Sequence, residues 1–467
     1  MPFANKILFF LLIISFSVFG QKQNTALKDS AYVIVAEIKI VGNKTTKPEI
    51  IRRELLFHKG DTILLNQLDR IIETSENNVF NTALFVENKI NVAYINDKYV
   101  QFIVFVKERW YLWPGIIFKI EDTNFNTWWL TKDWQRLNYG FFVRHDNFRG
   151  RKEKLALIVQ NGYTEQFGIM YDKPYINKSK TIGAGASFNY LRNHQITINT
   201  NGNKRVFYRE FPEYPFKEVK AEMDVTYRPK INNRHNVKVE YLDILVSDSV
   251  ILSNPRYLSP NLTTRFMGLH YYYKSDFRDN QNYPLRGYYF DIEAGWHGFG
   301  LWKNNIKNGF LLSQIKYFLP LNERFFFSQG FRTKVTFNNP GYYFLSSLGY
   351  GNIVVRGYEY YVITGQHYGL FKSQLRYNII KPSKVSLPLK FLDKFSTIPY
   401  AFYVGLYFDN GYVWDNGMMN NSLANQWLYG GGISIDFVTY YDFVLRTEFS
   451  INKQNEKGIY LHFVAPI

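Results

Sequence analysis

The run NIVVRGYEYY, Asn352 to Tyr361, places Arg356 and Gly357 among apolar and aromatic neighbours. A guanidinium in such a setting needs water or an anionic partner, because an unpaired buried charge is expensive. Its planar fork binds a carboxylate through two hydrogen bonds, and the adjacent glycine lets the backbone turn tightly. The chemistry this predicts is ion pairing rather than catalysis. The eight histidines form no H-E-x-x-H pair, and the chain has no G-x-S-x-G elbow, P-loop or dinucleotide fingerprint. Asp276 and Asp279 read as a polar turn that satisfies its own backbone. With no cysteine, disulfides and thiolate metal sites are excluded. No enzyme, cofactor, catalytic residue or metal is expected.

The elements that must hold Arg356 follow from alternation. From Trp110 onward the helical period gives way to segments that are apolar on one face and polar on the other. In GYYFDIEAGWH (287–297), Tyr288, Phe290, Ile292, Ala294 and Trp296 share one face; Tyr289, Asp291, Glu293, Gly295 and His297 share the other. About 16 such strands are expected, beginning near 111, 136, 153, 165, 181, 216, 234, 263, 286, 307, 323, 366, 399, 426, 441 and 458. The first is interrupted by Pro114, tolerated only at an edge or a seam between first and last strands. Aromatic residues make up 19% of the chain, including 37 Tyr and 41 Phe. That excess suits the lipid interfaces of a membrane barrel better than a soluble core. Five tryptophans, Trp110, Trp113, Trp128, Trp129 and Trp134, are expected at the junction between an N-terminal module and the barrel.

Residues 1–20 read as a secretory signal, with Lys6, an apolar run from Ile7 to Phe19 and Gly20. Residues 33–109 read as a small α+β domain in the order strand–helix–helix–strand–strand, with Thr46 as N-cap of the first helix and Pro48 in its first turn. Residues 110–467 read as the barrel. The net charge of +17 includes basic runs at 147–154 and 381–394, which fit turns facing anionic headgroups or an acidic partner. Nucleic acid is not an expected partner, because the charge forms no helical stripe and the chain is exported.

Arg356 then falls in a long loop between the eleventh and twelfth strands. Parity turns Lys372, Gln374, Arg376 and Asn378 inward, with Gly405 and Asp409 on the thirteenth strand and Gly430, Gly432, Ser434 and Asp436 on the fourteenth. Asp409 is the expected partner of Arg356, the loop folding into the lumen. His297 and His462 also face inward and read as pore-lining.

These residues resemble the BamA/TamA outer-membrane assembly superfamily, also called the bacterial surface antigen family. VRGY (Val355, Arg356, Gly357, Tyr358) is similar to the family's lumenal loop motif, and FDNGYVW (408–414) to its thirteenth-strand signature, whose aspartate meets the arginine. DFRDNQNYPLRGYYF (276–290) resembles the junction of the eighth and ninth strands, HDNFRGRKE (145–153) an early periplasmic turn, and IVGNKTT with FHKGD a single POTRA domain. The resemblance implies a Gram-negative outer-membrane barrel with the POTRA-like domain in the periplasm. Its partners would be unfolded outer-membrane or secreted client polypeptides, outer-membrane lipids, and periplasmic or lipoprotein accessory factors. Gln374 stands where the family commonly has a glutamate, so the loop is expected to be looser, or held by Asp409 and Asp436. Three functions stay open: assembly through a weak seam between strands 1 and 16, polypeptide secretion of the two-partner type, and passive conduction.

Overall fold

The computed structural model describes residues 31–463 apart from 123, 303–305, 339, 387–396, 418 and 440–442. The expected signal at 1–20 and part of the basic run at 381–394 lie outside the described residues.

The N-terminal module comprises β1 (Tyr32–Val41), α1 (Pro48–Arg52), β2 (Thr62–Leu64), α2 (Leu65–Phe80), β3 (Phe85–Tyr94) and β4 (Tyr99–Glu108). Its sheet runs β2-β1-β4-β3, with β1 and β4 parallel. Both helices lay their apolar stripes on that sheet, burying Val33, Val35, Ile51, Val79, Phe85, Phe102 and Val104, with Phe57 stacked on Phe102 at 4.0 Å. Each such side chain contributes about 1.5–3 kcal/mol of apolar burial. Thr46 does not cap α1; Lys47 holds that position, without a side-chain cap. Instead the Thr46 hydroxyl meets Tyr111 Oη and accepts from Asn147 Nδ2, each at 2.9 Å, and its N–H donates to Glu108. Buried tertiary partners outcompete the local cap.

The barrel is a 16-stranded antiparallel sheet in strict sequence order. The strands used below are the first (Leu112–Ile120), seventh (Asn233–Val246), eighth (Thr263–Asp276), ninth (Gly287–His297), eleventh (Phe325–Phe337) and twelfth (His367–Ser386), followed by the thirteenth (Thr397–Trp414), fourteenth (Trp427–Val438), fifteenth (Val444–Asn452) and sixteenth (Lys457–His462). Every strand begins within three residues of its expected start. Alternation explains the agreement: Asp291 and His297 of the ninth strand are buried inside, whereas Tyr288 and Trp296 stand exposed on the outer, lipid-facing side.

Several short elements outside the 16 strands were not expected, and one of them bears on the site. Between the first two barrel strands lies a two-turn helix, α3 (Phe125–Thr131), capped by Asn124 Oδ1, which accepts from the Thr127 N–H. Seven residues are too few to impose a helical period on the sequence. This helix also divides the expected tryptophan cluster. Trp128, Trp129 and Trp134 gather around it, and Phe125 meets Phe463, just past the sixteenth strand, at 5.5 Å. Trp110 and Trp113 stay beside the N-terminal module.

That module is seated on four turns at one end of the barrel. Lys47 N–H donates to Gly150 carbonyl, Asn81 Nδ2 donates to Asp279 carbonyl, and Arg53 donates to Lys180 and Arg228 carbonyls. The strongest contact is Arg228, which grips the buried Glu54 carboxylate through two bonds of 2.6 and 2.7 Å. Burial alone would raise the Glu54 carboxyl; the Arg228 charge and hydrogen bonds outweigh it and hold the group below the ordinary carboxylate range. A lowered folded-state value means the contribution is complete above the ordinary glutamate value of about 4.3 and is lost as pH falls through the lowered one. Docking, read by protease cleavage near the 109–111 junction, is therefore expected to be flat from neutral pH to about 5 and to loosen only in stronger acid. Glu54→Gln is expected to loosen it already at neutral pH, by about 3–5 kcal/mol, since Arg228 is left without its anion.

Candidate functional site

The loop between the eleventh and twelfth strands enters the lumen. Tyr358 N–H donates to Val355 carbonyl, closing a turn with Gly357 at φ +98°, a conformation that suits glycine. Val354, Val355 and Tyr358 pack with Leu348, Leu370, Val413 and Leu428 in a buried apolar cluster. Glycines on the wall admit this backbone: a Cβ at Gly430 would lie 1.8 Å from Arg356 carbonyl oxygen, and one at Gly411 2.6 Å from Val355.

Within that cluster Arg356 is fully buried. Its Nε and Nη2 donate to the two Asp409 oxygens at 2.7 and 2.6 Å, and its N–H reaches the same carboxylate. Nη1 donates to Glu448 at 3.3 Å and Nη2 to Ser373 carbonyl, while the guanidinium lies 3.8 Å over the Tyr407 ring. Of the inward-facing candidates Asp409, Gln374 and Asp436, it is Asp409 that meets the loop arginine. Asp436 is bound by its cross-strand neighbour Arg446, at 2.6 and 2.5 Å, and accepts from Tyr283 Oη. Gln374 donates to Ser434, reaching over Gly405, which has no side chain to intervene. Nearness along the wall, not inward direction alone, selects the pair.

Two buried carboxylates were missed from sequence: Glu359, which accepts from the Gly357 N–H, and Glu448. Glu448 receives Arg356 and also stands 3.6 Å from Arg446 and 3.1 Å from His462 of the sixteenth strand. Parity could have found it, since Arg446, Glu448, Ser450 and Asn452 alternate inward along LRTEFSIN. His462, read as pore-lining, instead belongs to this buried cluster.

Beside the cluster run the first and sixteenth strands. Among the described residues no strand pairing joins the first strand to the sixteenth. Tyr111 carbonyl accepts from Asp146 N–H of the second strand and Glu121 N–H donates to Arg136 carbonyl just before that strand, so odd-numbered residues of the first strand direct their backbone groups to that ladder. Pro114 therefore points its nitrogen at the open edge, where no ladder bond is lost. Ile116 and Ile459, on the first and sixteenth strands, are 85% and 71% exposed. A side chain spans part of the gap. Leu461 N–H donates to Asn126 Oδ1 at 2.9 Å, and Asn126 Nδ2 donates to Leu461 carbonyl, so one amide takes the place of a pairing strand. The same helix touches the loop: Asn124 Nδ2 and Thr127 Oγ1 both donate to Glu359 carbonyl, at 2.6 and 3.1 Å. Loop and seam thus share α3, Glu448 and His462.

A single small α+β module seated on a 16-stranded membrane barrel defines a class, and comparison with known proteins agrees. Residues 33–109 match the family model POTRA: Surface antigen variable number repeat. Among solved structures the chain is similar to BamA from Haemophilus ducreyi lacking POTRA domains 1-3, with 15% identity, a TM-score of 0.52, and 92% of this chain and 83% of that one covered. It is also similar to CdiB from Escherichia coli, with 10% identity, a TM-score of 0.54 and coverages of 92% and 75%. No curated protein matches the sequence. The chain is one POTRA domain followed by a barrel of the BamA fold.

Proposed function

We propose that this protein assembles or translocates client polypeptides at the outer membrane of a Gram-negative bacterium, with the POTRA domain in the periplasm. The observation that carries the reading is the open seam. In lipid every backbone N–H and C=O needs a partner, and each one left without costs several kcal/mol. Two facing strand edges, latched by one asparagine side chain, are therefore a template that an incoming strand can complete by β-augmentation.

The lock beside the seam supports the same reading. Arg356, Glu448 and His462 tie the lumenal loop to the sixteenth strand, and α3 ties both to the first. On the periplasmic side, Asn81 of the POTRA domain holds the connection between the eighth and ninth strands, and Tyr283 of that connection reaches Asp436 and so Arg446 and Glu448. A client pulling on the POTRA domain has a continuous polar path to the seam. Passive conduction fits less well, because the loop occupies part of the lumen beside an interlocked outer cover in which Asn203 accepts from Val362 and Leu423.

Depletion of the protein in its own cell, followed by quantitative proteomics of the outer membrane, tests this function. Loss of other barrel proteins supports assembly and names the clients. An intact outer membrane with one secreted protein retained in the periplasm replaces assembly by two-partner secretion.

A further inference from the structure

Halfway round the barrel from the seam, three neighbouring strands bring Glu240, His270 and His297 together on the lumenal wall. All three are buried. His270 Nε2 and His297 Nε2 both point at one atom, Glu240 Oε1, each at 3.0 Å. We propose that these residues bind a zinc-class divalent cation.

Four features of the wall favour an ion over a plain hydrogen-bond cluster. First, bonds of about 2.0–2.1 Å in a tetrahedral site place ligand atoms about 3.3 Å apart, so only a slight spreading admits the metal. Second, both rings are already held by their other nitrogen, as metal-binding imidazoles generally are. His270 Nδ1 faces Glu293 Oε1 at 3.0 Å, and His297 Nδ1 faces Asn308 Nδ2 at 3.3 Å. Third, the buried Asn308 Oδ1 has no hydrogen-bond partner among the described residues. Reversing that amide would let Oδ1 accept from His297 Nδ1–H, the tautomer a metal on Nε2 requires.

Fourth, the cradle exists because two positions are glycine. A Cβ at Gly268 would lie 2.8 Å from Glu240 Oε1 and 2.9 Å from His297 Cδ2; one at Gly295 would lie 3.1 Å from His270 Nδ1. Lys220 and Lys238 approach the other oxygen, Oε2, at 3.2 and 3.6 Å, leaving Oε1 to the ion. The proton balance closes. His270, donating to carboxylates from both nitrogens, releases its Nε2 proton; His297 carries its own from Nε2 to Nδ1. The bound ion would pin the seventh, eighth and ninth strands opposite the edge that opens.

The test uses the full chain without a histidine tag, in detergent and stripped with chelator, titrated with Zn²⁺ against a chromogenic competitor. One equivalent is expected to bind and to raise the unfolding temperature. His270→Gln and His297→Gln are each expected to weaken binding at least tenfold while unfolding stays cooperative, and Glu293→Gln by about 10–100-fold through loss of its support. His367→Gln, outside the cluster, is expected to bind as the parent does. No stoichiometric binding, or parent-like affinity in either cluster histidine variant, would overturn the proposal.

Discussion

Arg356→Ala lowers the temperature at which the barrel unfolds, by an amount corresponding to about 3–5 kcal/mol, the usual cost of removing one partner from a buried ion pair. The loss is large because two carboxylates are stranded together. Asp409 keeps the backbone N–H of residue 356 and Lys372, 3.7 Å away, and Glu448 keeps Arg446 and His462. The turn at 355–358 loses its anchor as well, since the guanidinium bonds held it to the thirteenth and fifteenth strands and to Ser373 carbonyl. Arg356→Lys recovers only part of the stability: one ammonium cannot span both Asp409 oxygens and Glu448, and it stacks less well on Tyr407. Asp409→Asn weakens the same contact, so the Arg356→Ala/Asp409→Asn pair costs less than the sum of the single changes. Heat-dependent electrophoretic mobility of the folded barrel measures all four variants, and a barrel as heat-stable in Arg356→Ala as in the parent would remove the lock from the account.

The second large effect concerns the seam. Phe125 of α3 and Phe463 past the sixteenth strand have ring centres 5.5 Å apart, and the chain carries no cysteine of its own. Phe125→Cys/Phe463→Cys joined by a short, reducible thiol cross-linker should tie the helix to the last strand while leaving the Asn126 bonds in place. Client assembly in cells is expected to fall at least tenfold when the link is made and to return when it is reduced, with each single variant active throughout. Activity that persists in fully cross-linked protein would mean that clients do not use this edge.

Much of this architecture is visible in the residues themselves, and the reasons are physical. Period-two alternation fixes which face of a spanning strand meets lipid, so strand starts from 111 to 458 could be read almost to the residue. Arg356 and Asp409 could be paired because both stand out as charges in apolar company on neighbouring elements. Asp436 and Gln374 mislead for the opposite reason: facing inward fixes a direction but not a neighbour, and Arg446 and Ser434 stand closer. Asn126 was invisible, since its partner is the backbone of Leu461, and a free strand edge leaves no mark on side-chain pattern. The seven residues of α3 are likewise too few to announce a helix.

The most direct measurement places a photo-cross-linking amino acid at Ile459, on the open edge of the sixteenth strand, and at Val237, on the outer face of the seventh, during client assembly. Client adducts at Ile459 and none at Val237 are the predicted result. Equal labelling at both positions, or no adduct at Ile459 while clients are being assembled, would contradict passage through the seam.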